Sequence, residues 1–198
     1  MKIAIDIALL LPDEINSLCI GLNQQDKNAF FDLTKKDNHP HITLTMAVID
    51  EADIHKIEVI LRNVAEKFSG LQLELTELNY TITPEDKKSY QFVIGSSKEI
   101  KELRQKIVKE LSPYFSYEVE DSMFFVDNDE EFRPVSKYWV ANHEKRNLSL
   151  DKFKPHISLK NTAATFDEFP IKFTTNKLVM AQLGNYCTCR KILIDIDL

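Results

Sequence analysis

Apolar residues change their period along this chain, and the changes mark its elements. Ile3, Ile5, Ile7 and Leu9 alternate with Ala4, Asp6 and Ala8, the period-two pattern of a strand. Pro12-Asp13-Glu14 then opens a helix, because proline fits a first turn and acids favour the positive end of the helix dipole. His41 to Ile49 is rich in β-branched residues and reads as a second strand. Ile54, Ile57, Leu61, Val64 and Phe68 return at three-four spacing, which predicts a helix from about Glu51 to Phe68, ended by Gly70. Leu71 to Thr83 and Tyr90 to Ile94 read as strands joined around Pro84-Glu85-Asp86. Ser96 with Glu99 forms a capping-box signature ahead of the stripe Ile100, Leu103, Ile107 and Leu111, and Pro113 closes that helix.

From Ser116 to Leu150 the pattern breaks. Glu118, Glu120, Asp121, Asp127, Asp129, Glu130 and Glu131 crowd around Phe124-Phe125 and Tyr138-Trp139, and an inserted excursion made of a hairpin and a mobile loop is expected. Asp127-Asn128-Asp129 lacks the glycine and distal glutamate of an EF-hand, so a solvated acidic loop is expected rather than a calcium site. Strand patterns resume at His156 to Lys160, Ile171 to Phe173, Leu178 to Leu183 and Arg190 to Leu198. Strands and helices mixed without strict alternation predict an α+β fold with a largely antiparallel sheet, in one domain over residues 1–198.

Charge narrows the partners. Lysine and arginine number 25 against 31 acids, a net −6, and such a surface repels duplex nucleic acid while leaving a small anionic ligand open. Three cysteines without a secretory pattern read as reduced thiols in a cytoplasmic setting, and no apolar run is long enough for a membrane span. Cys187-Thr188-Cys189 lacks a second pair and reads as two strand residues facing one way. His39, His41 and His156 could supply three imidazoles to zinc, but Pro40 interrupts the first pair and no fourth ligand is evident. No metal or cofactor is expected, and the chain is expected to be a monomer.

One internal echo carries chemistry. Pro40-His41-Ile42-Thr43-Leu44 returns as Pro155-His156-Ile157-Ser158-Leu159. H-x-[S/T] alone is a weak signal, and a single copy reads best as a structural histidine; matched flanks on both copies make the pair informative. Alternate strand residues share a face, so His41 points with Thr43 and His156 with Ser158, while Ile42, Leu44, Ile157 and Leu159 anchor each strand into its own sheet. If the two halves pack about a pseudo-twofold, two imidazoles and two hydroxyls meet in one cleft. One imidazole can remove a proton from a nucleophile and the other can protonate a leaving oxygen, with the hydroxyls on phosphate oxygens. Extending each strand by two adds Thr45 and Lys160 to that face, the lysine as a charge for phosphate. Tyr90, Phe92, Trp139 and Tyr186 offer flat faces for a base, although aromatics at strand spacing more commonly belong to the core. His55 is expected to be exposed, and His143 is given no specific role.

The paired motifs, with a strand and a proline-opened helix before the first, resemble the 2H phosphoesterase superfamily over nearly the whole chain. Its relatives include bacterial 2′–5′ RNA ligase-like proteins, cyclic nucleotide phosphodiesterases and viral enzymes that destroy oligonucleotide signals. The resemblance implies two pseudo-symmetric lobes whose antiparallel sheets line a central cleft, with helices outside. It also implies metal-independent cleavage of a small nucleotide or oligonucleotide by His41, Thr43, His156 and Ser158, a 2′–5′-linked or cyclic signal being the preferred substrate. RNA-end processing or ligation at the same site, and a non-catalytic module that sequesters a nucleotide, are the alternatives. Tyr90 to Gly95 with its following helix, and Phe153-Lys154-Pro155, are similar to the family's approach to the second motif. The long excursion and the segment Gly184 to Arg190 depart from it, and both are expected to line or cover the cleft.

Overall fold

In the computed structural model, which describes residues 1–35, 37–95, 97–127, 130–147 and 152–198, the alternation of the first strand separates two faces of a sheet. In β1 (Lys2–Leu10), Ile3, Ile5, Ile7 and Leu9 enter the main core, whereas Ala4, Asp6 and Ala8 lie on the opposite face, all fully buried. Small alanines there let other groups approach the sheet closely. The remaining strands are β2 (His41–Asp50), β3 (Leu71–Ile82), β4 (Lys88–Ile94), β5 (His156–Ser158), β6 (Ile171–Thr175), β7 (Lys177–Leu183) and β8 (Cys189–Asp197). They form a curled antiparallel sheet of eight strands in the order β6-β3-β4-β5-β2-β1-β7-β8. The α+β architecture is as expected, but the two motif strands do not anchor separate sheets. β5 pairs with β2 through Ile42 and Ile157 and with β4 on its other side, so one sheet runs through both lobes.

Helices cover the core face. α1 (Asp13–Gln25) buries Ile15, Cys19 and Leu22, α2 (Ile54–Ala65) buries Ile57, Leu61 and Val64, and α3 (Lys98–Leu111) buries Ile100, Leu103, Ile107 and Leu111. A short 3-10 turn at Glu51–Asp53 precedes α2, which ends before Phe68; Gly70, at φ +60, makes the turn into β3. Ser97 caps α3, its hydroxyl accepting from the Ile100 amide at 3.4 Å. The expected cap, Ser96, lies outside the described residues. None of these helices is long and apolar enough to cross a membrane.

Two buried polar side chains lock the lobes together. Asn23 of α1 donates to the carbonyls of Phe31 (2.9 Å) and Leu159 (2.8 Å) and accepts from the Leu33 amide (3.0 Å), tying the loop after α1 to the end of β5. Arg104 of α3 is fully buried, and its Nε donates 2.9 Å to the Leu44 carbonyl. That carbonyl belongs to a β-bulge. Ala8 faces Thr43 and Ile7 faces Thr45, leaving Leu44 as the extra residue of β2.

Among the described residues the excursion forms no hairpin. It carries 3-10 turns and two short helices, α4 (Pro134–Ala141) and α5 (His143–Asn147), packed on the face that carries Ala4, Met46 and Val48 through Met123, Phe124 and Val140. Its acids are also not simply solvated, since the buried Arg190 of β8 pairs with Asp127 and Glu130. Asn128 and Asp129, the rest of the weighed calcium sequence, lie outside the described residues.

Asn23→Ala would strand three backbone groups, two of its bonds being buried. We expect a loss of about 2–4 kcal/mol, read from the urea midpoint. An unchanged midpoint would show that Asn23 does not tie α1 to β5.

Candidate active site

The β2–β5 junction is the floor of a cleft that both motifs line. Because Ile42 faces Ile157 in antiparallel register, His41 lies opposite Ser158 and Thr43 opposite His156. Ile42, Leu44, Ile157 and Leu159 are buried in the core beneath, so all four polar side chains of the two motifs rise on the other face. The two histidines are diagonal neighbours, with Cα atoms about 7–8 Å apart by strand geometry, which leaves room for a phosphate between the rings.

The rings are tethered alike. His41 Nδ1 lies 2.7 Å from the carbonyl of His39, and His156 Nδ1 lies 3.0 Å from the carbonyl of Lys154. Each carbonyl stands two residues before its histidine and can only accept, so each Nδ1 carries its proton and each Nε2 is turned away from the tether. His39 therefore contributes its backbone rather than its ring. Asp6 of β1, fully buried, sits beside His41, with Oδ2 3.3 Å from His41 Nε2 and 2.6 Å from Thr43 Oγ1, which donates to it. Burial raises the Asp6 carboxyl above its usual range, opposed by His41, Thr43 and Lys160.

His156 is exposed at the cleft, yet the protein around it lowers its pKa by desolvation, against the Lys154 hydrogen bond, with Lys160 and His41 adding to the depression. Solvent on its open side limits this shift. Lys160 lies just beyond β5 in a left-handed conformation (φ +55), buried, and its Nζ donates 2.7 Å to the Tyr186 carbonyl. Burial lowers its pKa. That bond helps hold the β7–β8 turn, where Tyr186 and Cys187 are also left-handed (φ 56 and 53). The Tyr186 amide donates 2.8 Å to Ser136 of α4. Tyr186 is thereby presented to Phe30, at 5.0 Å between ring centroids, and both rings line the cleft.

The cleft has a volume of about 430 Å³, and Thr43, Ser158, Trp139 and His143 share its lining with these groups. Lys87, Lys152, Lys154 and Lys160 line it against the acid Glu85, so the site is locally cationic on a chain of net charge −6. Three of the expected ligand-binding residues lie elsewhere. Thr45 is fully buried, 3.4 Å from His143 Nε2, because the Leu44 bulge gives the cleft-facing position to Met46 instead. Phe92 is fully buried against Phe166 and Phe169, and Tyr90 packs on Tyr80; strand parity turns Ser89 and Gln91 to the cleft in their place.

Asp6, Phe30, Gln91 and His143 were not picked out as site residues by the sequence. An acid inside an apolar strand was the only visible sign, and it pointed to Asp6. His143, to which the sequence alone assigns no role, is buried in the cleft wall. Cys187 lies in the 3-10 turn Asn185–Cys187 rather than in a strand, and burial pushes its thiol up to about 12.

Asp6, His41 and Cys189 bring a carboxylate oxygen, an imidazole nitrogen and a sulfur within 4.8 Å of one another, a spacing that would admit a cation. Thr43 already donates to Asp6, and burial holds the Cys189 thiol well above its ordinary range, away from the thiolate that a metal needs. The cluster is better described as hydrogen-bonded than as ligating.

No family model and no curated protein sequence matches the chain. Solved structures do match it along their whole length. TT0787 of Thermus thermophilus superposes with a TM-score of 0.55 at 13% identity, covering 99% of this chain and 98% of that one. Escherichia coli LigT in complex with NADP+ gives 0.53 at 15% identity, covering 100% and 99%. LigT complexed with 3′-AMP gives 0.52 at 15% identity, with the same coverage. The chain has the LigT fold, in agreement with the architecture that the paired motifs implied.

Burial, with a smaller contribution from Arg104, pushes the pKa of His143 down to about 3 from 6.5. The folded chain keeps this ring neutral while the unfolded chain protonates it. Stability is therefore fully present above about pH 6.5 and falls as pH drops towards 3. His143→Gln should remove about one proton from the slope of unfolding free energy against pH in that window, measured by urea titrations. An unchanged slope would mean that His143 is not held neutral.

Proposed function

We propose that this chain is a phosphodiesterase of the 2H type, acting on a small nucleotide or oligonucleotide without a metal. The observation that carries the reading is the matched pair of tethered histidines, side by side on the floor of a cationic cleft. Two imidazoles supply both proton transfers of an in-line displacement, one removing the proton of the attacking hydroxyl and one protonating the leaving oxygen. Ser158 and Lys160 line the same cleft and would serve the non-bridging phosphate oxygens, the serine opposite His41 in the strand register.

Size, charge and aromatic content favour a nucleotide. A cleft of about 430 Å³ lies in the range of small-molecule sites, roughly 300–1,000 Å³. Its lysines suit phosphate, and Phe30, Trp139 and Tyr186 provide apolar faces for a base. LigT of Escherichia coli, which shares the fold, has been solved with phosphate, 3′-AMP and ATP. A 2′–5′ linkage leaves a free 3′-hydroxyl beside the phosphorus, an internal nucleophile whose attack gives a cyclic phosphate. Oligoadenylates or mixed-linkage cyclic dinucleotides are therefore the preferred substrates, and their removal as signals is the proposed role. The acidic surface outside the cleft disfavours long RNA.

His41→Ala and His156→Ala should each lower kcat/KM by about a thousand-fold, and Thr43→Ala or Ser158→Ala by roughly ten- to a hundred-fold. The assay is chromatographic and contains EDTA. Its panel holds 2′–5′ oligoadenylate, 2′,3′- and 3′,3′-linked cyclic dinucleotides, 2′,3′-cyclic mononucleotides and short 3′–5′ RNA. Turnover of RNA ends alone would move the chain to end processing or ligation. A nucleotide bound and recovered intact would leave a sequestering module, and near-normal rates in both histidine variants would overturn the mechanism.

A further inference from the structure

We infer that Asp6 makes the two histidines unequal: set against Nε2 of His41, its carboxylate keeps that ring as the proton donor and leaves His156 as the proton acceptor. The consequence for catalysis rests on the phosphodiesterase reading; the pairing itself does not.

The argument is an inventory of donors and acceptors. His41 Nδ1 faces the His39 carbonyl at 2.7 Å, and Nε2 faces Asp6 Oδ2 at 3.3 Å. The carbonyl only accepts. Burial works against ionisation of Asp6, but His41, Thr43 and Lys160 all favour the charged form. As a carboxylate it too only accepts, its Oδ2 already receiving the Thr43 proton at 2.6 Å. A ring between two acceptors fits best with a hydrogen on both nitrogens. Asp6 needs that cation in turn, because it is fully buried and its Oδ1 has no partner among the described residues.

The other titratable groups around the pair do not replace it. Lys160, beyond β5, spends a bond on the Tyr186 carbonyl, and burial keeps the thiols of Cys187 and Cys189 protonated. Desolvation also lowers the pKa of His39, which favours its neutral form. His156 has the same tether, to Lys154, but among the described residues no carboxylate lies within bonding reach of its Nε2. Its lowered pKa agrees with a neutral ring whose Nε2 lone pair faces the cleft.

The step then balances. His156 Nε2 takes the proton of the attacking ribose hydroxyl as the new O–P bond forms. The bond from phosphorus to the leaving oxygen breaks, and that oxygen takes the Nε2 proton of His41. The bare Nε2 of His41 now faces an acceptor oxygen, and it regains a proton from solvent as His156 releases its own. Asp6 touches neither the phosphorus nor the ester oxygens, and it acts only through the His41 Nε2 that it faces. It is a positioning residue, and Thr43, whose only proton goes to Asp6, holds it in place.

The first test needs neither a variant nor a substrate. Nitrogen chemical shifts of the wild-type histidine rings at neutral pH should show two protonated nitrogens in His41 and one in His156. One bare nitrogen in His41 would overturn the inference, whether or not the chain cleaves anything. Two protonated nitrogens in a chain that cleaves no phosphodiester would support the pairing and sink the phosphodiesterase reading instead. The second test compares Asp6→Asn with wild type on two ribonucleoside phosphodiesters with the same attacking hydroxyl, one expelling a ribose alkoxide and one nitrophenolate. The variant should lose about ten- to a hundred-fold on the alkoxide, which must be protonated, and stay within about threefold on nitrophenolate, which need not be. Equal losses on both would mean that Asp6 is only structural.

Discussion

The molecule turns on one pair of isoleucines. β5 is three residues long, and Ile157 at its centre faces Ile42 of β2 while its flanks bond to β4. With β4 holding the other edge of β5, this contact joins the two halves of the sheet and sets the histidines side by side. Register is what gives it force, because a slip by one residue would carry His41 and Thr43 into the core and bring Ile42 into the cleft. Both isoleucines are fully buried, so the apolar face that specifies the register also fixes the polar face above it.

Much of this was legible in the sequence, and the exceptions have physical causes. The strands and helices that carry most of the core announced themselves by period, as in Ile3-Ile5-Ile7-Leu9 and in the stripe from Ile100 to Leu111. The four motif residues were legible because the motif occurs twice. Thr45 was misplaced because parity arithmetic assumes an unbroken strand, and nothing in the sequence marks the bulge at Leu44, whose carbonyl Arg104 satisfies from another helix. Tyr90 and Phe92 failed for the opposite reason: parity holds along β4, and it turns Ser89 and Gln91 to the cleft. The excursion was unreadable because its short helices are held by contacts distant in sequence, such as Arg190 with Glu130. Asp6 was visible as an acid among isoleucines, but its neighbours depend on the pairing of β1 with β2.

Floor and wall of the cleft are built by different physics. The floor is strand backbone, with side chains fixed by register and by carbonyls two residues away. The wall is loop and short helix, fastened by polar ties: Arg190 to Asp127 and Glu130, Asn185 to the Arg133 amide, Ser136 to Tyr186. Gly184 belongs to this fastening, since a Cβ there would collide with the Arg190 side chain and the Phe125 carbonyl. Tyr186 and Trp139 belong to the wall, so they can be exchanged without disturbing the pairing beneath them.

The floor also has a direction. Two H-x-[S/T] strands in antiparallel register read the same from either end, like a palindrome, and such a surface would accept a phosphodiester in either orientation. Asp6 stands beside one histidine and has no counterpart beside the other among the described residues. A single carboxylate thus gives a symmetric groove a sense of travel. Linkage isomers that share every base and sugar expel the same 5′ oxygen. A groove with a fixed sense would tell them apart at its other end, by whether a 2′- or a 3′-hydroxyl is presented to the histidine without a carboxylate.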